Sequence, residues 1–346
     1  MLVRSIFDIG RHQMKAALSR TAGGPETLSI EHLDDPLPAQ DEVILDVRAC
    51  GVNYPDVLII QDIYQFKPQR PFAPGGEVAG VISAVGENVT DVAIGDRVIS
   101  MVGWNGMATK VAAKASSCIP MPADMSFEDG AAFLMTFGTS YYALKERAQI
   151  QPGETLFVLG AAGGVGLAAV MLGKALGARV VGAVSSPDKA AFVQECGADA
   201  CIVYPRGTFD GAGRKELAAL FKAAAPERGF DVVFDAVGGD YAEAALRAIA
   251  WNGRLLVIGF PAGIPNVPLN LALLKGCSIV GVFFGSFRER EPELDRRIVD
   301  ELMGLYESGA IRPHISRSFP LEQAGNAIAH LAGRSAMGKV IVTIEA

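Results

Sequence analysis

The sequence predicts an α/β protein in which a doubly wound parallel sheet follows a compact, mostly β domain. Between residues 154 and 259, short apolar runs alternate with helical patterns, which is typical of parallel strands joined by crossover helices. The first of these runs ends in a glycine-rich turn that opens a helix. Before residue 137 the apolar runs are short and turn signals such as Gly95-Asp96 are frequent, which indicates the β domain.

The expected elements of the parallel sheet follow one another along the chain. Strands are predicted at 156–159, 179–184, 200–204, 230–236 and 253–259, with helices at 165–176, 188–196, 215–225 and 241–249. A further apolar run at 278–284 is predicted to be the edge strand of this sheet.

The glycine-rich turn between the first strand and its helix is a candidate nucleotide site. Small residues let backbone N–H groups approach a pyrophosphate, and the helix N-terminus then faces the phosphate charge. The last glycine lets the helix lie close to the strand. A turn that merely packs tightly is the alternative, but the strand–turn–helix context favours a nucleotide. The residues of the turn are Gly160, Ala161, Ala162, Gly163, Gly164, Val165 and Gly166.

The end of the second strand indicates which nucleotide is preferred. An acidic residue there would bind the ribose 2′-hydroxyl of NAD and repel a 2′-phosphate. This chain instead has Ser185 and Ser186, followed by Lys189, which are donors suited to a phosphate. Asp188 argues the other way, but after Pro187 it fits the first turn of a helix. We therefore expect NADPH as cofactor, and Tyr204 either flanks the same phosphate or is a strand-end aromatic.

Composition narrows the classes of function. The chain has 346 residues, 50% of them hydrophobic, and a net charge of −7 without a basic stripe, so nucleic acid is not an expected partner. No uncharged apolar run is long enough to span a membrane, and no signal-peptide pattern is visible. Five scattered cysteines argue against a disulfide framework and for a reducing cytoplasm.

The domains are expected to be discontinuous in sequence. The β domain should contain strands at 42–47, 78–85, 97–102 and 108–112, and strands at 315–319 and 339–344, with helix 321–331 between them, should return to it. A helix at 292–308 precedes these returning strands. The cleft between the two domains is the expected place for a ligand. The predicted division is residues 1–13 as an N-terminal extension, 14–137 and 286–346 as the catalytic domain, and 138–285 as the nucleotide domain.

Several separated motifs, taken in order, resemble one known superfamily. They are 50–56 (CGVNYPD), 74–80 (PGGEVAG), 85–86 and 95–98 (VG, GDRV), 136–141 (TFGTSY), 160–166 (GAAGGVG) and 235–238 (DAVG). From Met14 onward the chain resembles the medium-chain dehydrogenase/reductase superfamily, specifically its zinc-independent quinone oxidoreductase branch, which includes zeta-crystallin. The resemblance implies a Rossmann sheet together with a GroES-like catalytic domain.

The chain departs from the zinc-dependent members at two positions. Zinc alcohol dehydrogenases of this superfamily have a cysteine where this chain has Asn53 and a histidine where it has Gly76. Neither replacement supplies the thiolate or imidazole that catalytic zinc prefers, and the four clustered cysteines of the structural zinc lobe are also missing. Cys50 reads as a small buried strand residue. We therefore expect no zinc, and acceptors that delocalise the incoming charge, such as quinones and α,β-unsaturated carbonyls.

The resemblance also implies the catalytic residues. Asn53 should face the nicotinamide and the substrate and donate an amide hydrogen bond to an oxygen, with turn capping as the alternative. Tyr64 should lie where it can stack on the acceptor or donate a proton, unless it is a surface aromatic. Thr136 should contact the nicotinamide side or cap the following helix.

Two strand ends are implied to line the nicotinamide and its ribose. They are Gly259-Phe260 and Phe284-Gly285, with Phe284 either closing the substrate site or packing in the core. Because relatives dimerise by joining edges such as 278–284, a homodimer is expected.

The leading hypothesis is hydride transfer from NADPH to a quinone or an α,β-unsaturated carbonyl. The first alternative is reduction of an enoyl thioester of the acryloyl-CoA type, for which Arg288, Arg290, Arg296 and Arg297 are candidate phosphate ligands. The second is an NADPH-binding protein with little turnover.

Overall fold

The computed structural model describes residues 13–345, which divide into two units. Unit 1 contains the described residues up to Leu134 and those from His314 onward, and unit 2 is the continuous segment Met135–Pro313. The predicted extension 1–13 lies outside the described residues except for Gln13, which begins the first strand.

The described residues contain fifteen strands and eleven α-helices. The strands are β1 (Gln13–Leu18), β2 (Ser29–Asp34), β3 (Glu42–Val52), β4 (Glu77–Val85), β5 (Arg97–Met101), β6 (Lys110–Lys114), β7 (Cys118–Pro120), β8 (Thr155–Leu159), β9 (Arg179–Val184), β10 (Ala200–Val203), β11 (Phe230–Asp235), β12 (Ile249–Val257), β13 (Ser278–Gly281), β14 (Ile315–Pro320) and β15 (Lys339–Thr343). The helices are α1 (Tyr54–Ile59), α2 (Phe127–Ala131), α3 (Thr139–Tyr141), α4 (Gly164–Ala175), α5 (Pro187–Glu195), α6 (Gly211–Ala224), α7 (Asp240–Ala248), α8 (Asn270–Lys275), α9 (Phe284–Arg290), α10 (Pro292–Glu307) and α11 (Ala324–Ala332).

Unit 1 is built on a mostly antiparallel seven-stranded sheet in the order β14-β15-β3-β4-β5-β7, with β6 paired to β3. β15 pairs with β3, and β3 with β4, so the last strand of the chain lies two places from the fourth. β1 and β2 form a separate pair. β2 alternates between partly buried and exposed residues, as a strand with one solvated face does, whereas eight of the eleven residues of β3 are buried. The prediction of a mostly β domain that includes the C-terminal strands is confirmed.

Unit 2 contains a six-stranded sheet in the order β10-β9-β8-β11-β12-β13, and every pair in it is parallel. All five residues of β8 are buried, as expected for a central strand covered on both faces by helices. The strand order reverses between β8 and β11, which is the switch point where ligands bind in doubly wound sheets. The predicted doubly wound parallel sheet is therefore confirmed.

The division of the chain differs from the predicted one at residues 286–313, which belong to unit 2 rather than to the catalytic domain. Contacts within unit 2 explain the difference. Glu301 of α10 accepts hydrogen bonds from Tyr141 (2.9 Å) and Lys145 (2.6 Å), so α10 is anchored near the start of unit 2. The boundary before the parallel sheet likewise falls at Met135 instead of residue 138.

Several predicted elements have different limits in the structure, β13 and α6 among them. The edge strand β13 ends at Gly281, whereas the prediction extended it to residue 284, and Phe284 begins α9 instead. Helix α6 begins four residues earlier than predicted, because Asp210 caps it by accepting a hydrogen bond from the N–H of Gly213 (2.8 Å). No helix among residues 13–345 combines the length and apolar character needed to cross a bilayer.

Candidate active site

The glycine-rich turn follows β8 at the switch point of the unit 2 sheet. Gly160 has φ +73°, a left-handed conformation that favours glycine. The N–H groups of Gly160 and Ala161 both donate to the carbonyl of Ala183 on the neighbouring strand (3.1 and 3.2 Å), which fixes the turn against β9. A Cβ at Gly166 would lie 2.2 Å from the Gly160 carbonyl oxygen, so α4 approaches the turn as closely as the sequence predicts.

The N-terminus of α4 presents backbone donors beside this turn. Gly163 is the residue before the helix, and the N–H of Leu167 is the first to bond back to it (2.8 Å). The N–H groups of Gly164, Val165 and Gly166 therefore have no intrahelical acceptor, as at any helix start. Since Gly163, Gly164 and Val165 are partly exposed and no acidic residue lies in the first turn, the arrangement suits an anion.

The end of β9 brings two cations together. Ser186 caps α5, its hydroxyl accepting from the N–H of Lys189 (3.4 Å). Burial lowers the pKa of Lys189, and the nearby charge of Arg206 lowers it further. Two like charges in proximity are favoured when an anion lies between them. Sequence reasoning missed Arg206, whose only signal was a basic residue two positions after the predicted strand 200–204.

Tyr204 lies next to this region, but its ring belongs to the core of unit 2. It is 7% exposed and packs against Tyr241 (ring centroids 4.9 Å apart) and Phe221 (6.3 Å). Its N–H donates to the carbonyl of Val184 (2.8 Å), which extends the β9–β10 pairing by one residue. Of the two interpretations, the structure supports the strand-end aromatic.

The turn after β11 holds the loop that contains Gly259 and Phe260. The buried carboxylate of Asp235 accepts hydrogen bonds from the N–H groups of Val237 (2.9 Å) and Gly238 (2.8 Å), while burial raises its pKa. A Cβ at Gly238 would lie 3.1 Å from the Cα of Phe260, so the two segments are in contact. Phe260 remains 43% exposed, which leaves its ring accessible.

Phe284 and Gly285 do not end a strand, so this part of the sequence prediction is wrong. Phe284 is buried over Gly138, where an added Cβ would come within 2.4 Å of its ring, and it neighbours Tyr142 and Phe287. Gly285 is exposed in the first turn of α9. An apolar run cannot distinguish a buried helix start from a strand, which explains the error. Core packing accounts for Phe284.

Asn53 lies in unit 1, at the place where β3 ends and its neighbours β4 and β15 begin. It follows β3, Glu77 begins β4, and Lys339 begins β15. The strand register pairs Gly51 with Glu77 and Val52 with Val340, which brings these side chains to one place. A Cβ at Gly51 would lie 2.9 Å from Glu77 Oε2 and 3.0 Å from Lys339 Nζ, so the glycine leaves room for the pair.

The three side chains form a closed triangle of polar contacts. Lys339 Nζ donates to Asn53 Oδ1 (2.7 Å) and to Glu77 Oε2 (3.0 Å), and Asn53 Nδ2 donates to the same Glu77 oxygen (3.0 Å). Asn53 Nδ2 also reaches the carbonyl of Gly51 at 3.3 Å. All three residues are at most 7% exposed. Sequence reasoning missed Lys339, because a lysine directly before an apolar run gives no sign of a functional role.

Asp56 completes the group from the first turn of α1. Its carboxylate accepts from the N–H of Asn53 (2.7 Å) and from the N–H of Gly75 (2.8 Å). Burial raises the pKa of Asp56 to about 6, against the lowering effect of these two hydrogen bonds. Asp56 therefore fixes the loop that carries Asn53.

The other two predicted catalytic residues lie in different units. Tyr64, in unit 1, is partly buried with its ring 5.8 Å from that of Phe66; burial and the charge of Asp56 raise the pKa of its phenol. Thr136, in unit 2, is 2% exposed within a π-helical turn, Leu134–Gly138, that leads into α3. The turn makes Thr136 part of a helix instead of the residue before one.

Within residues 13–345, no group of three or more His, Cys, Asp or Glu side chains is arranged to hold a metal ion. Cys50 is fully buried, and burial raises the pKa of its thiol well above its ordinary value. A neutral buried thiol is a packing residue rather than a metal ligand.

Comparisons with known proteins agree with this architecture. Residues 39–123 match the family model described as alcohol dehydrogenase GroES-like domain, and residues 164–300 match the one described as zinc-binding dehydrogenase. The second description names zinc, but Asn53 and Gly76 offer no thiolate or imidazole at the positions noted above. The two matches define an oxidoreductase of the dehydrogenase type.

Full-length relatives narrow the class. A quinone oxidoreductase-like protein 2 homolog from Nematostella vectensis is 36% identical over 97% of this chain and 90% of its own length. A quinone oxidoreductase from Pseudomonas aeruginosa is 34% identical over 92% of this chain and 96% of its own length. A mycobacterial protein solved in complex with NADPH superposes with a TM-score of 0.87 at 29% identity. The superposition covers 95% of this chain and 99% of the mycobacterial one. The chain belongs to the medium-chain dehydrogenase/reductase superfamily, in its quinone oxidoreductase branch.

Proposed function

We propose that the protein transfers hydride from NADPH to a quinone or an α,β-unsaturated carbonyl. The observation that carries the cofactor part is the electrostatic interaction between two cations, Lys189 shortly after β9 and Arg206 shortly after β10. Ser185 and Ser186 precede Lys189 at the end of β9. An acid at this place would favour NADH, whereas two cations and two hydroxyls suit a 2′-phosphate. The likeness to a protein solved with NADPH supports the same proposal.

The residues of unit 2 fit the remaining parts of that cofactor. The N–H groups of Gly164, Val165 and Gly166 would bind the pyrophosphate, and the close approach of Gly166 to Gly160 leaves the turn too tight for a side chain. The loop at Gly259 and Phe260 and the buried Thr136 are proposed for the nicotinamide half. When bound, NADPH supplies the hydride, and the protein supplies position and hydrogen bonds.

Asn53 and Tyr64 are proposed to act on the acceptor. The amide of Asn53 would donate to the oxygen on which charge develops, and the phenol of Tyr64 would stack on the acceptor or give a proton. Because positions 53 and 76 lack zinc ligands, the acceptor should itself delocalise the incoming charge. Quinones and enones do this, whereas simple aldehydes do not.

The enoyl-thioester alternative receives less support. Arg288, one of its candidate phosphate ligands, donates to the carboxylate of Asp295 at 2.9 Å and lies over the ring of Phe284. Arg290 donates to Ser286. The guanidinium group of Arg288 is therefore held within unit 2.

We also propose a homodimer that forms through the edge of the unit 2 sheet. β13 is an edge strand in unit 2, and three leucines of the α8 segment, Leu269, Leu273 and Leu274, are 67–80% exposed. Apolar side chains beside an unpaired edge favour pairing with a second copy.

The five cysteines are free thiols, which supports a reducing cytoplasm as the compartment.

The deciding experiment follows NADPH absorbance with purified, chelator-treated protein. The acceptors are a quinone, an enone, an enoyl-CoA thioester and a simple aldehyde, with NADH in parallel. Turnover of quinone or enone that is insensitive to chelator is the expected result. Aldehyde turnover abolished by chelator would overturn the zinc-free proposal, and NADPH binding without turnover would favour a binding protein.

A further inference from the structure

The buried ion pair between Lys339 and Glu77 has no evident purpose in stability alone. Their side chains are 5% and 0% exposed and meet at 3.0 Å. Removing two charges from water is costly, and an apolar pair of similar volume often stabilises a protein equally well. The sheet around them already has a large apolar core. The position of the pair, directly at Asn53, therefore calls for an explanation in terms of that side chain.

The pair makes the two ends of the Asn53 amide unequal. The cation contacts the carbonyl oxygen at 2.7 Å and the anion contacts the amide nitrogen at 3.0 Å. A half-turn of the amide would place its N–H groups against the ammonium and its oxygen against the carboxylate, so both contacts would become repulsive. The ion pair thus selects a single orientation of a side chain that neutral neighbours would leave free to turn.

One amide hydrogen remains weakly bound in this orientation. Asn53 Nδ2 has two hydrogens; Glu77 accepts one, and the other reaches the Gly51 carbonyl only at 3.3 Å. That distance is beyond the usual range for N–H···O bonds, so this bond is readily exchanged for a better acceptor. The contact of Lys339 with the amide oxygen also polarises the amide, which strengthens its N–H groups as donors.

We propose that Lys339 and Glu77 are positioning residues that hold the Asn53 amide with one hydrogen ready for a substrate oxygen. That hydrogen is the one now directed at Gly51. The acceptor class is an oxygen that gains negative charge during reduction, as in a quinone or an enone. The kinetic part of this inference rests on the proposed function, whereas the orientation of the amide does not.

The test is a double variant, K339M/E77Q, which removes both charges and keeps the shape of both side chains. The amide that E77Q introduces can hydrogen-bond Asn53 in either orientation of the asparagine. The side chain of Asn53 therefore keeps a hydrogen-bond partner, but a single orientation of its amide is no longer selected. The single variant K339M would leave the Glu77 carboxylate buried without its cation and is expected to unfold at lower temperature. The matched control is K110M/D46N, which removes the Lys110–Asp46 pair of unit 1 (2.6 Å) away from Asn53.

A positioning role predicts a specific kinetic pattern. The double variant should keep a melting temperature within about 4 °C of wild type and an unchanged KM for NADPH. Its kcat/KM for the acceptor should fall between about 10-fold and about 100-fold, since a misoriented donor no longer stabilises the developing charge. K110M/D46N should keep wild-type kcat/KM. Wild-type kcat/KM in a folded double variant would overturn the proposal.

A second readout is independent of turnover. With asparagine labelled by ¹⁵N and the Asn53 signals assigned by their loss in N53S, exchange of the side-chain amide hydrogens with solvent should be at least about 10-fold faster in the double variant. Unchanged exchange would overturn the proposal even if no acceptor were ever reduced. If wild-type protein reduces none of the acceptors, the proposed function fails while this measurement still decides the orientation. K339Q/E77Q, in which neutral amides that can both donate and accept replace the two charged groups, serves both readouts if K339M/E77Q does not fold.

Discussion

Asp56 gives the protein a pH dependence of stability that can be worked out from its surroundings. The group is 4% exposed, with Glu77, Lys339, Cys50 and Tyr64 as the ionisable neighbours whose charges interact with it. Burial raises its pKa from 3.8 to about 6 in the folded protein. Between these two values the folded state binds more protons than the unfolded one, so the free energy of unfolding falls as the pH rises from about 4 to about 6.

The magnitude follows from the shift. A pKa change of about two units, at about 1.4 kcal/mol per unit, corresponds to about 3 kcal/mol of stability lost across this window. Asp56→Asn removes the titrating group. It also replaces one of the two accepting oxygens by an amide nitrogen, and the free-energy cost of that replacement does not vary with pH. The difference in free energy of unfolding, D56N minus wild type, should therefore increase by about 3 kcal/mol between about pH 4 and about pH 7.5.

Urea unfolding at a series of pH values measures this difference, provided that unit 1 is observed by itself. Trp104 lies in unit 1 and Trp251 in unit 2, so the W251F background makes the fluorescence report unit 1 alone. The control is D46N, because hydrogen bonds from Lys110 and Ser83 keep the pKa of Asp46 below its usual value although burial opposes this. The difference in free energy of unfolding, D46N minus wild type, should fall as the pH rises. It should do so mainly below about pH 4, where Asp46 is protonated in the unfolded chain but stays ionised in the folded protein. A D56N difference that is flat or falls with pH would refute the reasoning.

Three further predictions concern the nucleotide site and the proposed interface. Gly166→Ala, whose Cβ would lie 2.2 Å from a carbonyl oxygen, should raise the Kd for NADPH at least about 10-fold in a fluorescence titration. The control Gly163→Ala, whose Cβ would lie 3.5 Å from its nearest atom, should bind NADPH normally. Equal binding by both variants would contradict the role of the turn. Lys189→Ala with Arg206→Ala should lower kcat/KM for NADPH by about 10-fold to 100-fold and leave that for NADH within about 3-fold, and an equal loss with both cofactors would argue against a phosphate site. Leu273→Glu should convert a dimer to a monomer in light scattering, since it places a charge on the exposed face of α8; a dimer that persists would exclude this face.

The architecture was predictable because it depends on local patterns. The alternation of apolar runs and helices gave the parallel sheet of unit 2, and the small residues around Gly160 and Gly166 gave the turn, since both signals lie within short windows. The limits of elements were less predictable where an apolar run such as Val282 to Phe284 serves either as strand or as helix start. The assignment of α10 to unit 2 depends on contacts made by Glu301 with residues far away in sequence.

The candidate site was predictable only in part, for the same reason. Asn53 stands in a recognisable motif, but Lys339 lies 286 positions later and reaches it only through the pairing of β15 with β3. Arg206 is likewise defined by its closeness to Lys189 across the ends of two strands. Neither residue has a local signature, because a lysine or arginine next to a strand is usually solvated. Long-range pairing, rather than residue type, identifies both.

The late position of β15 has a consequence for how the chain acquires its structure during synthesis. Unit 2 is one continuous segment, so all of its strands have left the ribosome before those that complete unit 1. Until β15 emerges, Glu77 lacks the lysine that neutralises it, and the edge of β3 that later carries β15 is open. A nascent chain that stalls before residue 339 would therefore hold a finished nucleotide-binding half beside an unfinished one with an exposed acid. Such a fragment leaves an edge of β3 open to pairing with other chains.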